Sequence, residues 1–119
     1  MTWQDAIRGH EYALRNGGAP GILNESAIES ALARPYHGYH RLIHQKAAAL
    51  VHAVVSNHGF ADGNKRTALH LVELLVQRSG YVLTERDEVI VEMLVDVARG
   101  DIDYDDLAKW FRVRLVRNA

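Results

Sequence analysis

The sequence predicts an all-α fold, a compact bundle of about six helices forming a single domain over residues 1–119. Three observations carry this. The segment Ala47 to Val55 is apolar nearly all round and Ala68 to Val76 is apolar on more than one face, as helices at the centre of a bundle are. Four other segments repeat apolar residues at helical spacing. The composition is rich in alanine and has only 2 prolines, which leaves long stretches free to stay helical.

Each element follows from local chemistry. Thr2 caps a first helix with Trp3, Ile7, His10 and Leu14 as its stripe, and Asn16-Gly17-Gly18 ends it. Ala19-Pro20-Gly21 is a turn. Asn24 caps a short second helix that buries Ile28, Ala31 and Leu32. Arg34-Pro35 closes it, because a residue before proline avoids the helical region. Tyr36, His37, Gly38, Tyr39 and His40 form an aromatic, polar loop or small hairpin. The third helix runs from about Arg41 to Ser56 and the fourth from near Asn64 to Gly80. Tyr81-Val82-Leu83 is a short extended link. Thr84, with Asp87 three residues on, caps the fifth helix, whose stripe is Val89, Ile90, Met93, Leu94 and Val97 and whose stop is Gly100. Asp103 or Asp105 opens the last helix, with Leu107, Trp110, Phe111 and Leu115 as its buried face. The cations Lys109, Arg112, Arg114 and Arg117 towards its end suit the helix dipole.

Composition removes several functions. There is no cysteine, hence no disulfide framework and no thiolate nucleophile or metal site. That fits a reducing compartment, and a cytoplasmic location is expected. No basic start leads into an apolar run, and no stretch approaches the roughly 18 apolar residues of a membrane span. The 14 Lys and Arg against 15 Asp and Glu give none of the excess positive charge of a duplex-wrapping protein, so no direct nucleic-acid partner is expected. His37, His40, His44 and His52 are close in sequence, but no Cys or obvious acid completes a zinc set, so they read as surface or partly buried histidines. His10 and His70, on or beside apolar faces, read as satisfied core residues.

The stretch joining the two central helices, His58-Gly59-Phe60-Ala61-Asp62-Gly63-Asn64-Lys65-Arg66, carries the chemistry. Asp-Gly-Asn is a common turn triplet, and a plain helix-helix connection is one reading. Lys65 and Arg66 weigh on the other side. They stand in the first turn of a helix, where cations oppose the dipole. That placement makes sense if an anion sits there, met by free backbone N–H groups, dipole and side-chain charge together. Gly63 permits close approach of the backbone. A polyphosphate is the anion that would also explain Asp62, which could hold Mg²⁺ through one oxygen. Phe60 anchors the loop inward. His58 is either a helix-terminal histidine or a general base, as histidine ordinarily titrates near neutrality.

These residues resemble the signature of the Fic/Doc superfamily in its death-on-curing (Doc) branch, H-x-F-x-[D/N]-[A/G]-N-K-R. Every fixed position is met, and the resemblance extends to Gly17 through Gly21, Glu29 through Pro35, Gly80-Tyr81 and the final helix pair. It implies a helical toxin domain using ATP and Mg²⁺. His58 would be the base and Asp62 would assist the metal. Gly63 and Asn64 would shape the anion site, and Lys65 and Arg66 would bind phosphates. Tyr36 to His40 would be a flap that aligns a target segment.

The adenylyltransferase branch instead has H-P-F-x-[D/E]-G-N-G-R-x-x-R. Here Gly59 replaces its proline, Lys65 its second glycine and Leu69 its last arginine. The resemblance therefore implies phosphoryl transfer from ATP to a Thr or Ser hydroxyl, by family on elongation factor Tu, with AMP transfer as the alternative. The self-inhibitory motif [S/T]-x-x-x-E-[G/N] is missing: Thr84 to Glu88 has the spacing, but Val89 follows. Restraint would come from a Phd-like antitoxin whose C-terminal segment docks as a helix.

Overall fold

A computed structural model describes every residue except Asn16 and Ala119, so the expected role of Asn16 in ending the first helix lies outside the described residues. Among the described residues, six α-helices are α1 (Trp3–Ala13), α2 (Glu25–Ala33), α3 (Ile43–Asn57), α4 (Asn64–Arg78), α5 (Asp87–Arg99) and α6 (Tyr104–Arg112). Two short strands, β1 (Tyr81–Leu83) and β2 (Leu115–Arg117), pair antiparallel with Val82 opposite Val116. None of these helices is long and apolar enough to cross a membrane.

Helix α3 is the centre, as its composition predicts. Ala47 to Val51 and Ala53 to Val55 are all buried, and α2, α4, α5 and α6 pack around it. Alanine on several sides lets neighbouring helices come close. Helix α4 lies beside it, burying Thr67, Ala68, Leu71, Val72, Leu75 and Val76. Phe111 of α6 and Met93 of α5 complete the same core.

The structure corrects several local expectations. In α1 the buried face is Asp5, Ala6, Gly9, His10 and Ala13, whereas Trp3, Ile7 and Leu14 are half-buried. The helix seats against α4 through its small residues. A Cβ on Gly9 would stand 3.0 Å from the His70 ring, so no larger side chain fits there without displacing it. Arg34 takes the right-handed helical conformation despite preceding Pro35, and the chain continues as a 3-10 turn over Arg34–Tyr36. No strand forms over Tyr36 to His40, so that stretch is not a hairpin. Thr84 does not cap α5: its hydroxyl donates to the Arg114 carbonyl at 2.7 Å, extending the β1–β2 pairing, and the N-cap position falls to Arg86. Leu115 leaves the α6 face and enters β2. Arg114, just beyond α6, pairs with Glu85 at 3.0 Å and covers the Trp110 ring.

One ion pair, between the buried Asp5 and the half-exposed Arg78, ties α1 to α4. Both Asp5 carboxylate oxygens accept from Arg78, at 2.9 and 3.0 Å, and Asp5 also closes a capping box with Thr2. The Arg78 hydrogen bonds, with Thr2 N–H, hold the Asp5 carboxyl well below the usual carboxylate range against the opposing effect of burial. A depressed folded-state pKa means this stabilisation is fully present above the unfolded value of about 4 and is lost as pH falls below it. Asp5→Asn is therefore expected to lower stability at neutral pH by about 1–2 kcal/mol, since it removes a charge-assisted pair whose guanidinium is half-exposed to water. Below about pH 4 the gap to the native protein should narrow. Urea unfolding at both pH values tests this; a constant gap would refute the linkage.

Candidate functional site

The six residues between α3 and α4 are shaped by two left-handed turns. His58 ends α3 at φ 48°, ψ 47°, and Gly63 opens α4 at φ 77°. Between them the chain drives Phe60 into the core, where it is 2% exposed. Asn64 fixes that geometry: its amide oxygen accepts from Phe60 N–H at 3.2 Å and its amide nitrogen donates to the Phe60 carbonyl at 3.0 Å. The inward anchor expected of Phe60 is thus present, and Asn64 shapes the loop by holding its backbone.

A second segment lies alongside. Ile22 pairs with Phe60 as an isolated antiparallel bridge; Ala61 N–H donates to Gly21, and Leu23 and Asn24 N–H donate to Gly59. Gly59 is closely covered here. A Cβ on it would meet Ile28 Cγ1 at 2.3 Å, so the proline of the adenylyltransferase signature has no room in this packing.

The loop opens onto a cleft of about 490 Å³ lined by His58, Asp62, Gly63, Asn64, Lys65 and Arg66, with Gly17, Gly18, Val55 and Ala98 closing its sides. His58 comes from the end of α3, and the cations from the start of α4. Gly63 has no side chain, so no side-chain acceptor closes the α4 N-terminus. The first-turn N–H groups and the positive end of the dipole lie at the cleft mouth, with the Asp62 carboxylate on the Gly63 N–H beside them. Among the described residues Lys65 makes no ion pair or hydrogen bond. Arg66 differs: its Nη1 donates to the Ala13 carbonyl at 3.1 Å, capping the end of α1 and leaving its other N–H groups for the cleft.

Asp62 is exposed and structured by backbone. Its Oδ1 accepts from Gly63 N–H at 2.8 Å and its Oδ2 from Ala19 N–H at 3.2 Å. These bonds hold its carboxyl below the usual carboxylate range, with smaller contributions from Arg66 and Lys65. An ionised carboxylate with lone pairs left on both oxygens, beside two cations and open amides, suits a metal-polyphosphate ligand.

The structure does not bring Tyr36, His37, Gly38, Tyr39 and His40 to this cleft. They precede α3, whereas the loop follows it, and a helix of 15 residues spans about 22 Å. His40 instead bonds the Tyr104 hydroxyl at 2.8 Å. The segment that flanks the site is Gly17 to Asn24. Its glycine pair was the available signal: one glycine suffices to end a helix. Gly18, at φ 114°, passes so near Asp62 that a Cβ would stand 3.1 Å from Oδ2. The other residue that sequence reasoning did not link to the site is His10, whose ring stacks on Phe60.

The model of the family described as Fic/DOC family matches residues 2–76. The toxin Doc of Mycolicibacterium smegmatis is 32% identical over 100 residues, covering 77% of this chain and 76% of the relative. The protein kinase doc of Escherichia phage P1 is 31% identical over 103 residues, covering 82% of this chain and 80% of the relative. Both alignments are long enough that they must include α3, the loop and α4.

Removing the Asn64 clamp should be costly, because it strands a part-buried N–H and C=O of Phe60. Asn64→Ala is expected to destabilise the fold by about 1–3 kcal/mol. A chemical unfolding midpoint equal to that of the native protein would show that the clamp does not hold the loop.

Proposed function

This chain belongs to the Fic/DOC family, and from that premise we propose that it is the toxin of a toxin–antitoxin pair, transferring a phosphoryl group from ATP to a Ser or Thr hydroxyl of a protein. The observation that carries the reading is one cleft faced by Lys65, which is unpaired among the described residues, by the N-terminus of α4 and by the His58 imidazole. The names of the relatives, a toxin and a protein kinase, support the same class of activity.

The residues fit the ligands the reaction needs. The α4 amides and Lys65 would hold phosphate oxygens, with Arg66 contributing the N–H groups that Ala13 leaves free. Asp62 would hold Mg²⁺ through the lone pairs that Gly63 and Ala19 leave open. Bound MgATP would supply the group to be transferred and neutralise part of its charge. An imidazole nitrogen of His58 would take the proton of the attacking hydroxyl. Val55 and Ala98 give the cleft an apolar wall against which the organic part of a nucleotide can pack.

Lys65 and Leu69 favour terminal phosphoryl transfer over transfer of AMP. Lys65 fills the position where the other branch has a second glycine, and the half-buried Leu69 packs on the core instead of offering a second guanidinium. By resemblance, the target is elongation factor Tu, the consequence is arrest of translation in the cytoplasm, and the partner is a Phd-like antitoxin.

The test uses a translation extract and ATP labelled at the α or γ position. Label is expected on protein from γ-labelled ATP alone, to vanish with EDTA, and to fall about 10²–10⁴-fold in His58→Ala. Lys65→Ala should also reduce it strongly, with both variants remaining folded by circular dichroism. Retention from the α position and not the γ position would replace phosphoryl transfer with nucleotidyl transfer. Equal growth arrest by native and His58→Ala proteins would remove the enzymatic reading altogether.

A further inference from the structure

We infer that His10 is a positioning residue, the donor that sets the peptide plane at the mouth of the α4 N-terminus; its consequence for rate rests on the transferase reading above. His10 lies on α1, 52 positions before Asp62, and is buried. Its ring stacks on Phe60 with centroids 3.9 Å apart and planes 13° from parallel. Its Nε2 stands 2.8 Å from the carbonyl oxygen of Asp62. A carbonyl can only accept, so Nε2 carries the proton in this contact.

The acceptor gives this bond its meaning. In a trans peptide the carbonyl and the following N–H point in opposite directions. With the Asp62 carbonyl held down onto α1, the Gly63 N–H is turned the other way, where it donates to Asp62 Oδ1 at 2.8 Å. One contact in the core thereby aims a carboxylate at the surface. The next peptide is held as firmly: the Gly63 carbonyl accepts from Thr67 N–H at 2.9 Å and from the Thr67 hydroxyl at 2.7 Å. Gly63, in its left-handed conformation, sits between these two fixed planes. Its missing Cβ would lie 3.4 Å from Ala13 and 3.6 Å from the His10 ring. The loop thus rests on α1, with His10 as the only α1 side chain among the described residues that hydrogen-bonds to its backbone.

Two functions of the ring can be separated. His10→Phe keeps an aromatic stacked on Phe60 and removes the donor. His10→Gln places an amide N–H near the former Nε2 and removes the stack. Amide exchange at Phe60, Ala61 and Thr67, measured without substrate, reports how firmly the loop is held. It stands whether or not phosphoryl transfer is the reaction. In His10→Phe exchange there should speed about tenfold, while in His10→Gln it stays near native. With γ-labelled ATP and extract, His10→Phe should lower kcat about 10–100-fold with KM for ATP changed less than about threefold, and His10→Gln should recover most of the loss. Native exchange in His10→Phe, or equal losses in both variants, would overturn the assignment and leave the ring as packing only. Should His10→Phe fail to fold cooperatively, His10→Gln decides alone: near-native exchange supports the donor role and a tenfold rise removes it.

Discussion

The site depends on one constraint, the burial of Phe60 between two left-handed turns. Six residues must carry the chain from the end of α3 to the start of α4 while sending one large side chain into the core. Right-handed or extended conformations at both ends would not reverse the chain so sharply. Gly63 adopts its turn at little steric cost, and His58 does so at a cost of about 1–2 kcal/mol. Burying a phenylalanine returns roughly 2–3 kcal/mol, enough to offset the strained residue. Asn64 then satisfies the backbone of the residue so buried. With Phe60 fixed, the directions of His58 and Lys65 follow from the backbone, while the Asp62 carboxylate is also held by Gly63 and Ala19 N–H.

Helix α1 supplies the opposing surface. It is held to α4 at one end by the Asp5–Arg78 pair, and at the other by Arg66 on the Ala13 carbonyl and His10 on the Asp62 carbonyl. Gly9 lets the two helices approach closely between these points. Electrostatics make the arrangement asymmetric. Arg66 is stabilised by the negative end of α1 even though it opposes the positive end of α4, so its net cost is small. Lys65 has no helix end to compensate it and, among the described residues, makes no ion pair, with only a weaker attraction to the exposed Asp62 carboxylate. It stays exposed beside open amides, which makes it the cation most available to an incoming anion.

The sequence revealed the central helices and the loop because both leave local marks: continuous apolar faces, and cations where a helix start should carry acids. The six-helix count, the α2 cap at Asn24 and the stops at Gly80 and Gly100 rest on equally local chemistry. What it concealed was non-local. Nothing within Tyr81–Leu83 or Leu115–Arg117 shows that the two segments pair, and so Thr84 read as a cap and Leu115 as part of a helix face. The burial of α1 was misread because a stripe of large residues predicts the contact face less well than the small ones that let α4 approach. Tyr36 to His40 were assigned to the site from their likeness to a family flap, but the topology sets them at the far end of α3. His10 was legible as a core histidine, yet its acceptor, a carbonyl more than fifty residues away, left no trace in the pattern.

His58 makes the functional argument from strain. The position after a helix that takes a left-handed conformation is commonly glycine or asparagine, because other side chains crowd the backbone there. Histidine here is the sole non-glycine residue with positive φ among those described. Among the described residues its ring makes no hydrogen bond that would offset the cost, and it lies exposed against the cleft. A sequence shaped by stability alone would place glycine at this point, as it does at Gly63 and Gly100. Backbone strain retained without a local return is characteristic of functional positions. The direction of inference matters: the outlier is observed first, and it falls on the histidine that lines the cleft. Together with a cation and an open helix terminus facing the same space, that coincidence favours a catalytic loop over a mere turn between two helices.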